Sequence, residues 1–329
     1  MTKFLVVGAN SFSGSHFVRR ILMEGHDVWG LGRSPEPTSP FLPRLWGSKN
    51  PGKFVFTQID VNEPESSLVD LLQEVHPEVV VNFAAQGMVA QSWDQPWDWF
   101  RTNTSGLSKL LHHLQTLSGL KKYVHVTTPE VYGSTDGWVK ESFEFAPSTP
   151  YAVSRAAGDW HVMNLHKVRG FPAVLTRAAN VYGPGQQLYR VIPRAFLSGL
   201  LEEPFPMHGE GLSTRSFIHI DDVVEATYLL SLSDAVGETF HISTNELVSI
   251  SDLVSQAQSL LGRGEASVLR LPERDGKDEK YQLDSSKIRS QLGWSDTVSL
   301  SEGLEQVRDW VVENLPIFRE MPRDYIHKS

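Results

Sequence analysis

A chain of 329 residues, 40% hydrophobic and 21% charged, is long enough to bury a sizeable core as two domains or one large α/β unit. Its formal charge of -9 argues against a nucleic-acid backbone as the main partner, and having no cysteine excludes disulfides, thiolate metal sites and cysteine nucleophiles. "MTKFLVVGAN" has too short an apolar run for a signal peptide, and no stretch approaches the roughly 20 apolar residues of a membrane span, so the expectation is a cytoplasmic protein without membrane contact.

Along the chain, "KFLVVGA" (3–9) reads as a strand. An amphipathic helix follows over 13–24, with Phe17, Val18, Ile21 and Leu22 on one face. "HDVWGLGR" (26–33), "KFVFTQIDV" (53–61), "EVVVNFAA" (78–85) and "KKYVHVTT" (121–128) predict further strands, with helical "ESSLVDLLQEVH" and "TSGLSKLLHHLQTL" between the later ones. "RGFPAVLTRAANVYG" (169–183) predicts another strand after the helix that carries Tyr151. Near-continuous apolar strands alternating with helices indicate an α/β fold whose parallel sheet is covered on both faces. Beyond about residue 184 the pattern loosens. Helical "IPRAFLSGLLEE", extended "TRSFIHI" and helical "DDVVEATYLLSL" fit a smaller α+β region.

"VVGANSFSGSHF" sets Gly8 and Gly14 between the first strand and the first helix. Glycines there allow a tight turn and close approach to a pyrophosphate, which then lies on the helix N-terminus beside Asn10, Ser11 and Phe12. The expected architecture is therefore a Rossmann-type doubly wound sheet. Residues 1–180 would form the dinucleotide domain, with 210–236 returning to it, and 181–329 would form mainly a substrate-binding region. The second strand ends in "GLGRSPEP", so Arg33 and Ser34 stand where NAD sites prefer a carboxylate. A cation and a hydroxyl suit a 2′-phosphate, which makes NADP the expected cofactor with NAD as the alternative. Asp60 and Val61 end the third strand, where Asp60 either accepts from the adenine amino group or caps its loop. Ala84, Ala85 and Gln86 after the fourth strand complete the expected cofactor bed.

Tyr151 and Arg155, in "TPYAVSRAA", are four apart and share a helix face. A tyrosine so paired with lysine is familiar beside a nicotinamide, but here the partner is arginine. Together with "GANSFSG", "NFAAQGMVAQSWDQPWDWFRTNTSG", "VTTPEVYG", "TRAANVYGPGQ", "RSFIHIDDVV" and "YQLDSSKIRSQLGW", the chain resembles the extended short-chain dehydrogenase/reductases over nearly its whole length. The nucleotide-sugar epimerases and 4,6-dehydratases are the specific likeness.

The resemblance implies that Thr128 touches the sugar 4-hydroxyl and that Tyr151 removes its proton while the cofactor takes the C4 hydride. Glu130 stands where the dehydratases and the glucuronate decarboxylases carry glutamate; in the dehydratases it takes the C5 proton as water leaves from C6. Arg155 would then serve as the charge beside Tyr151 and the partner of the nicotinamide ribose. Gln86, Ser92, Asn180, Arg190 and Arg215 match substrate-binding segments, the arginines suiting phosphates. Three departures stand out: Ser11 for a middle glycine, Pro129 for the acid of many dTDP-glucose dehydratases, and Arg155 for lysine. Trp93, Trp97 and Trp99 are expected to pack under a loop. Histidine spacing suggests no metal, and His219 reads as structural. The resemblance also implies a homodimer built from two helices per subunit. A 4-epimerase or decarboxylase on the same fold, and a cofactor-binding protein without turnover, remain as alternatives.

Overall fold

Successive side chains of a strand face opposite ways, so a run such as FLVV (4–7) is wholly buried only between two helical layers. The computed structural model, which describes residues 2–47, 51–264, 267–273 and 280–328, has that arrangement. Seven strands, β1 Lys3–Val7, β2 Asp27–Gly32, β3 Phe54–Gln58, β4 Val79–Asn82, β5 Lys122–Thr127, β6 Ala173–Ala178 and β7 Glu238–Ile242, form one parallel sheet. Their order is β7-β6-β5-β4-β1-β2-β3.

The helices are α1 Phe12–Met23, α2 Ser66–Val75, α3 Pro96–Phe100, α4 Leu107–Leu114, α5 Pro150–Arg169 and α6 Val191–Leu200. Then come α7 Ile220–Leu232, α8 Ile250–Ser259, α9 Ser286–Leu292, α10 Leu300–Glu313 and α11 Leu315–Phe318. On one face Phe4 and Val6 of β1 meet Phe17, Val18, Ile21 and Leu22 of α1 and Val223 and Leu230 of α7. On the other, Leu5 and Val7 meet Leu68, Leu71 and Leu72 of α2 and Leu107 and Leu111 of α4. Each such side chain contributes about 1.5–3 kcal/mol when fully buried. Among the described residues no helix is long and apolar enough to cross a membrane.

The chain order reverses between β1 and β4, which opens a crevice at the carboxyl ends of those two strands. Two expectations change in detail. The strand expected within 169–183 divides: β6 stays in the sheet until its partner β7 ends at Ile242, and Asn180–Tyr182 then pairs in parallel with Phe217–His219. The helix expected over 104–117 begins as a wider π-turn, Arg101–Gly106, that leads into α4. A second core joins Phe196 of α6, Leu253 of α8 and Val307 and Trp310 of α10 with Phe205 and Met207, forming a smaller lobe. The strand Phe205–His208, which carries the last two, pairs in parallel with Val268–Leu271.

Candidate active site

At the end of β1, Gly8 takes a φ of +79°. A Cβ there would lie 2.7 Å from the Ala84 amide nitrogen, and one on Gly14 would lie 2.2 Å from the Gly8 carbonyl oxygen. Only glycine lets the turn pass this close to β4. Ser11 caps α1, its hydroxyl accepting from the Gly14 amide at 3.1 Å, so the departure from a middle glycine leaves the helix start intact. Phe12 is buried behind the turn, and Asn10 donates to the Ser34 carbonyl at 3.2 Å, tying the turn to the end of β2 where Arg33 stands. Asp60 accepts from the Asn62 amide at 2.9 Å, a loop-capping bond, and Val61 packs on the α2 side of the core. Ala84 follows β4 and donates to the Asn82 side chain at 2.9 Å; Ala85 is exposed beside it.

Gln86 is buried and gripped by Asn103 of the π-turn. The Asn103 side-chain Oδ1 accepts from the Gln86 main-chain amide at 2.9 Å, and its Nδ2 donates to the Gln86 main-chain carbonyl at 3.1 Å and to the Ser154 hydroxyl at 2.9 Å. Asn103 is therefore a positioning residue that spacing alone did not single out.

Thr128 follows β5 and caps the turn Pro129–Tyr132, its hydroxyl accepting from the Glu130 amide at 3.3 Å. Pro129 occupies the first position of that turn, where its fixed φ presets the bend and its missing N–H costs nothing. Thr149 caps α5 in the same way, accepting from Ala152 at 3.2 Å, and sets Tyr151 in the first helical turn. Tyr151 is buried, and the Thr128 side chain favours its ionised form. Burial pushes the phenol above its ordinary pKa, the charge of Arg155 opposes this, Glu130 adds to it, and Arg190 opposes it more weakly. Thr128, Glu130 and Arg155 thus act on the Tyr151 phenol.

Arg155 donates from Nη2 to the Val126 carbonyl. Its buried Nε has no hydrogen-bond partner among the described residues. Such a donor costs about 1–3 kcal/mol unless an acceptor arrives, and a ribose hydroxyl would serve. One turn further on, buried Asp159 accepts from buried Arg177 at 2.8 Å, with His125 3.7 Å away. Burial raises the Asp159 carboxyl against the pull of Arg177 and Arg155. The glycine turn, the capped α1 terminus and the unsatisfied Arg155 nitrogen together fit a nicotinamide dinucleotide.

Beyond β6, the Asn180 side-chain oxygen accepts from Tyr281 at 2.6 Å, and the Arg215 guanidinium lies 5.1 Å from the Tyr281 ring centre. Tyr281 opens the "YQLDSSKIRSQLGW" stretch and joins these two expected substrate residues. Arg190 precedes α6 with its guanidinium over the Tyr189 ring. Ser92 faces inward, its hydroxyl donating to the Val89 carbonyl at 2.6 Å. His219 caps α7 by accepting from the Asp221 amide, a structural role. The tryptophans correct one expectation: Trp99 is fully buried, but Trp93 and Trp97 are 50% and 63% exposed. Trp93 ends the short turn Ala90–Trp93 and Trp97 lies in the first turn of α3, both outward, while Trp99 of α3 points inward.

The profile of the GDP-mannose 4,6 dehydratase family matches residues 5–307. The chain belongs to that family. It is 32% identical to a dTDP-glucose 4,6-dehydratase of Streptomyces niveus over 95% of this chain and 93% of the relative. The solved dTDP-glucose 4,6-dehydratase of Streptomyces venezuelae, with NAD bound, superposes with a TM-score of 0.87 at 30% identity over 96% of this chain and 98% of the other. A UDP-glucuronic acid 4-epimerase of Bacillus cereus, in complex with UDP-glucuronic acid and NAD, reaches 0.85 at 29% identity over 94% and 99%. The Rossmann-type sheet and the nucleotide-sugar dehydratase and epimerase kinship agree with the sequence reading.

Proposed function

We propose that this member of the dehydratase family converts a nucleoside-diphosphate hexose to its 4-keto-6-deoxy derivative with loss of one water. The observation that carries this reading is the gathering of Thr128, Glu130 and Arg155 around the buried Tyr151 phenol, each acting on its proton affinity. A bound nicotinamide dinucleotide supplies a two-electron acceptor and donor that ends the cycle unchanged. Gly8, Asn10, Ser11, Phe12 and Gly14 would hold its pyrophosphate, and Arg155 its nicotinamide ribose. Tyr151 takes the proton of the sugar 4-hydroxyl, which Thr128 orients. Glu130 takes the C5 proton made acidic by the 4-ketone and returns it to the hydroxyl leaving C6, because Pro129 has none to give. Asn180, Tyr281 and Arg215, with Arg190, receive the diphosphate.

The proposed division of labour gives 1–180, with the returning 210–236, to the dinucleotide and 181–329 mainly to the sugar nucleotide. For the cofactor we favour NADP, because Arg33 and Ser34 replace a carboxylate after β2, although the solved relatives carry NAD. Exposed Trp93, Trp97, Val153 and Trp160 on and beside α3 and α5 support a homodimer through those helices, which sedimentation tests. The function itself is tested by incubating the protein with a panel of nucleotide sugars and both dinucleotides and weighing the products. Loss of water supports the reading. Unchanged mass with inverted C4, or loss of carbon dioxide, contradicts it in favour of an epimerase or decarboxylase, and no product from any sugar contradicts turnover altogether.

A further inference from the structure

After α11 the chain runs without regular structure from Pro322 to Lys328, from the smaller lobe to the dinucleotide lobe. Its first half is fastened to the smaller lobe. Arg194 donates to the Arg323 carbonyl and pairs with Asp324 at 3.3 Å, Arg323 pairs with Glu203, and Tyr325 meets the Tyr189 ring edge-on at 5.4 Å. Its second half lies on the other lobe. The His327 ring stacks on Trp99 at 5.0 Å with an interplanar angle of 5°, and its Nε2 is 2.7 Å from the Asp98 carboxylate.

The last contact is the telling one. The Lys328 carbonyl oxygen accepts from Arg33 Nη1 at 2.9 Å and from Gln86 Nε2 at 2.6 Å. Arg33 follows β2 and Gln86 follows β4, and in the sheet β1 lies between those two strands. An oxygen that bridges Arg33 to Gln86 therefore spans the carboxyl end of β1, where the glycine turn is. The segment takes up the two donors that flank the dinucleotide bed and holds them on a main-chain carbonyl, the kind of acceptor that ribose or phosphate oxygens would replace.

We propose that Pro322–Lys328 is a built-in competitor of the dinucleotide: the cofactor must lift it off Arg33 and Gln86 before it can use them. This rests on the reading that the β1 turn binds a dinucleotide. When the binding-competent state is only a fraction of the molecules, apparent affinity falls by that fraction. Two hydrogen bonds to one carbonyl, one histidine stack and a histidine–carboxylate hydrogen bond make a latch of moderate strength, so a dinucleotide can open it.

The test titrates NAD and NADP separately into the full chain, into a variant ending at Met321 and into His327→Ala, following binding rather than turnover. The account expects the apparent Kd to fall about tenfold on truncation and by a smaller factor in His327→Ala. It also expects tryptic cleavage after Arg323 in the unaltered protein to speed up once dinucleotide saturates it. Unchanged or weaker binding in both variants, or slower cleavage on saturation, would show a clamp over bound cofactor or a bystander and overturn the proposal. No binding of either dinucleotide to any of the three proteins would overturn the cofactor reading and this inference together.

Discussion

Arg155 lies one helical turn beyond Tyr151, and its charge is the strongest influence opposing the upward push that burial gives the Tyr151 phenol. Arginine keeps its proton throughout the accessible pH range, so this influence is constant. Its guanidinium is drawn back onto the Val126 carbonyl, which shows how the longer side chain fits where lysine is usual. Removing the charge in Arg155→Met raises the phenol further, so the acid limb of the kcat/KM profile should move to higher pH, with kcat down about a hundredfold or more. Arg155→Lys should restore the limb if charge is what Arg155 supplies. A limb that stays put in Arg155→Met would show that Tyr151 does not titrate under its control.

Gly8 is held at positive φ with the Ala84 amide against its missing Cβ. Gly8→Ala should cost about 1–3 kcal/mol of stability and abolish dinucleotide binding, because the turn must retreat from β4. Thermal melts and dinucleotide titrations check both parts.

The buried Asp159–Arg177 pair invites a stability measurement. Asp159→Asn strands the Arg177 charge and should destabilise the fold by about 3–5 kcal/mol in urea unfolding. The double change Asp159→Leu with Arg177→Met should recover most of that, since Arg177 already packs against the rings of Tyr132, Phe143 and Phe145. A double variant no better than the single one would mean that the pair, not its burial, holds the fold.

Two buried histidines set an acid limit. Burial lowers His16 to about 4 and His241 to about 3. Their folded values lie below the unfolded value near 6.5, so the unfolded chain binds more protons once pH falls below that point. Their contribution is whole above about pH 6.5 and is lost as pH falls through the folded values. Each removes about 1.4 kcal/mol per pH unit in that window, or about 4 kcal/mol for both between about pH 7 and pH 5. Urea unfolding at the two pH values measures the loss, and His16→Gln should reduce it by about 2 kcal/mol.

Much of this was legible in the sequence because it is local. Strand–helix alternation, the Gly8–Gly14 turn and the helix spacing of Tyr151 and Arg155 each lie within a few residues. Thr128 and Glu130 joined them by resemblance, through motifs whose order the fold preserves. What stayed hidden is long-range. The Lys328 carbonyl meets Arg33 across a separation of 295 residues, and no periodicity in "PRDYIHKS" points there. Tyr281 meets Asn180 across 101. The edge strand β7 is five residues long, too short for its pattern to stand out from the loops around it.

In the proposed cycle Glu130 removes the C5 proton beside Thr128, Tyr151 and Arg155. The most direct measurement runs the protein and Glu130→Gln in deuterated water with the nucleotide sugar that the unaltered protein dehydrates, following the C5 position and the mass of the sugar. The account predicts deuterium at C5 and loss of water with the unaltered protein, and neither with Glu130→Gln, while oxidation at C4 still proceeds. Full water loss in Glu130→Gln would contradict it.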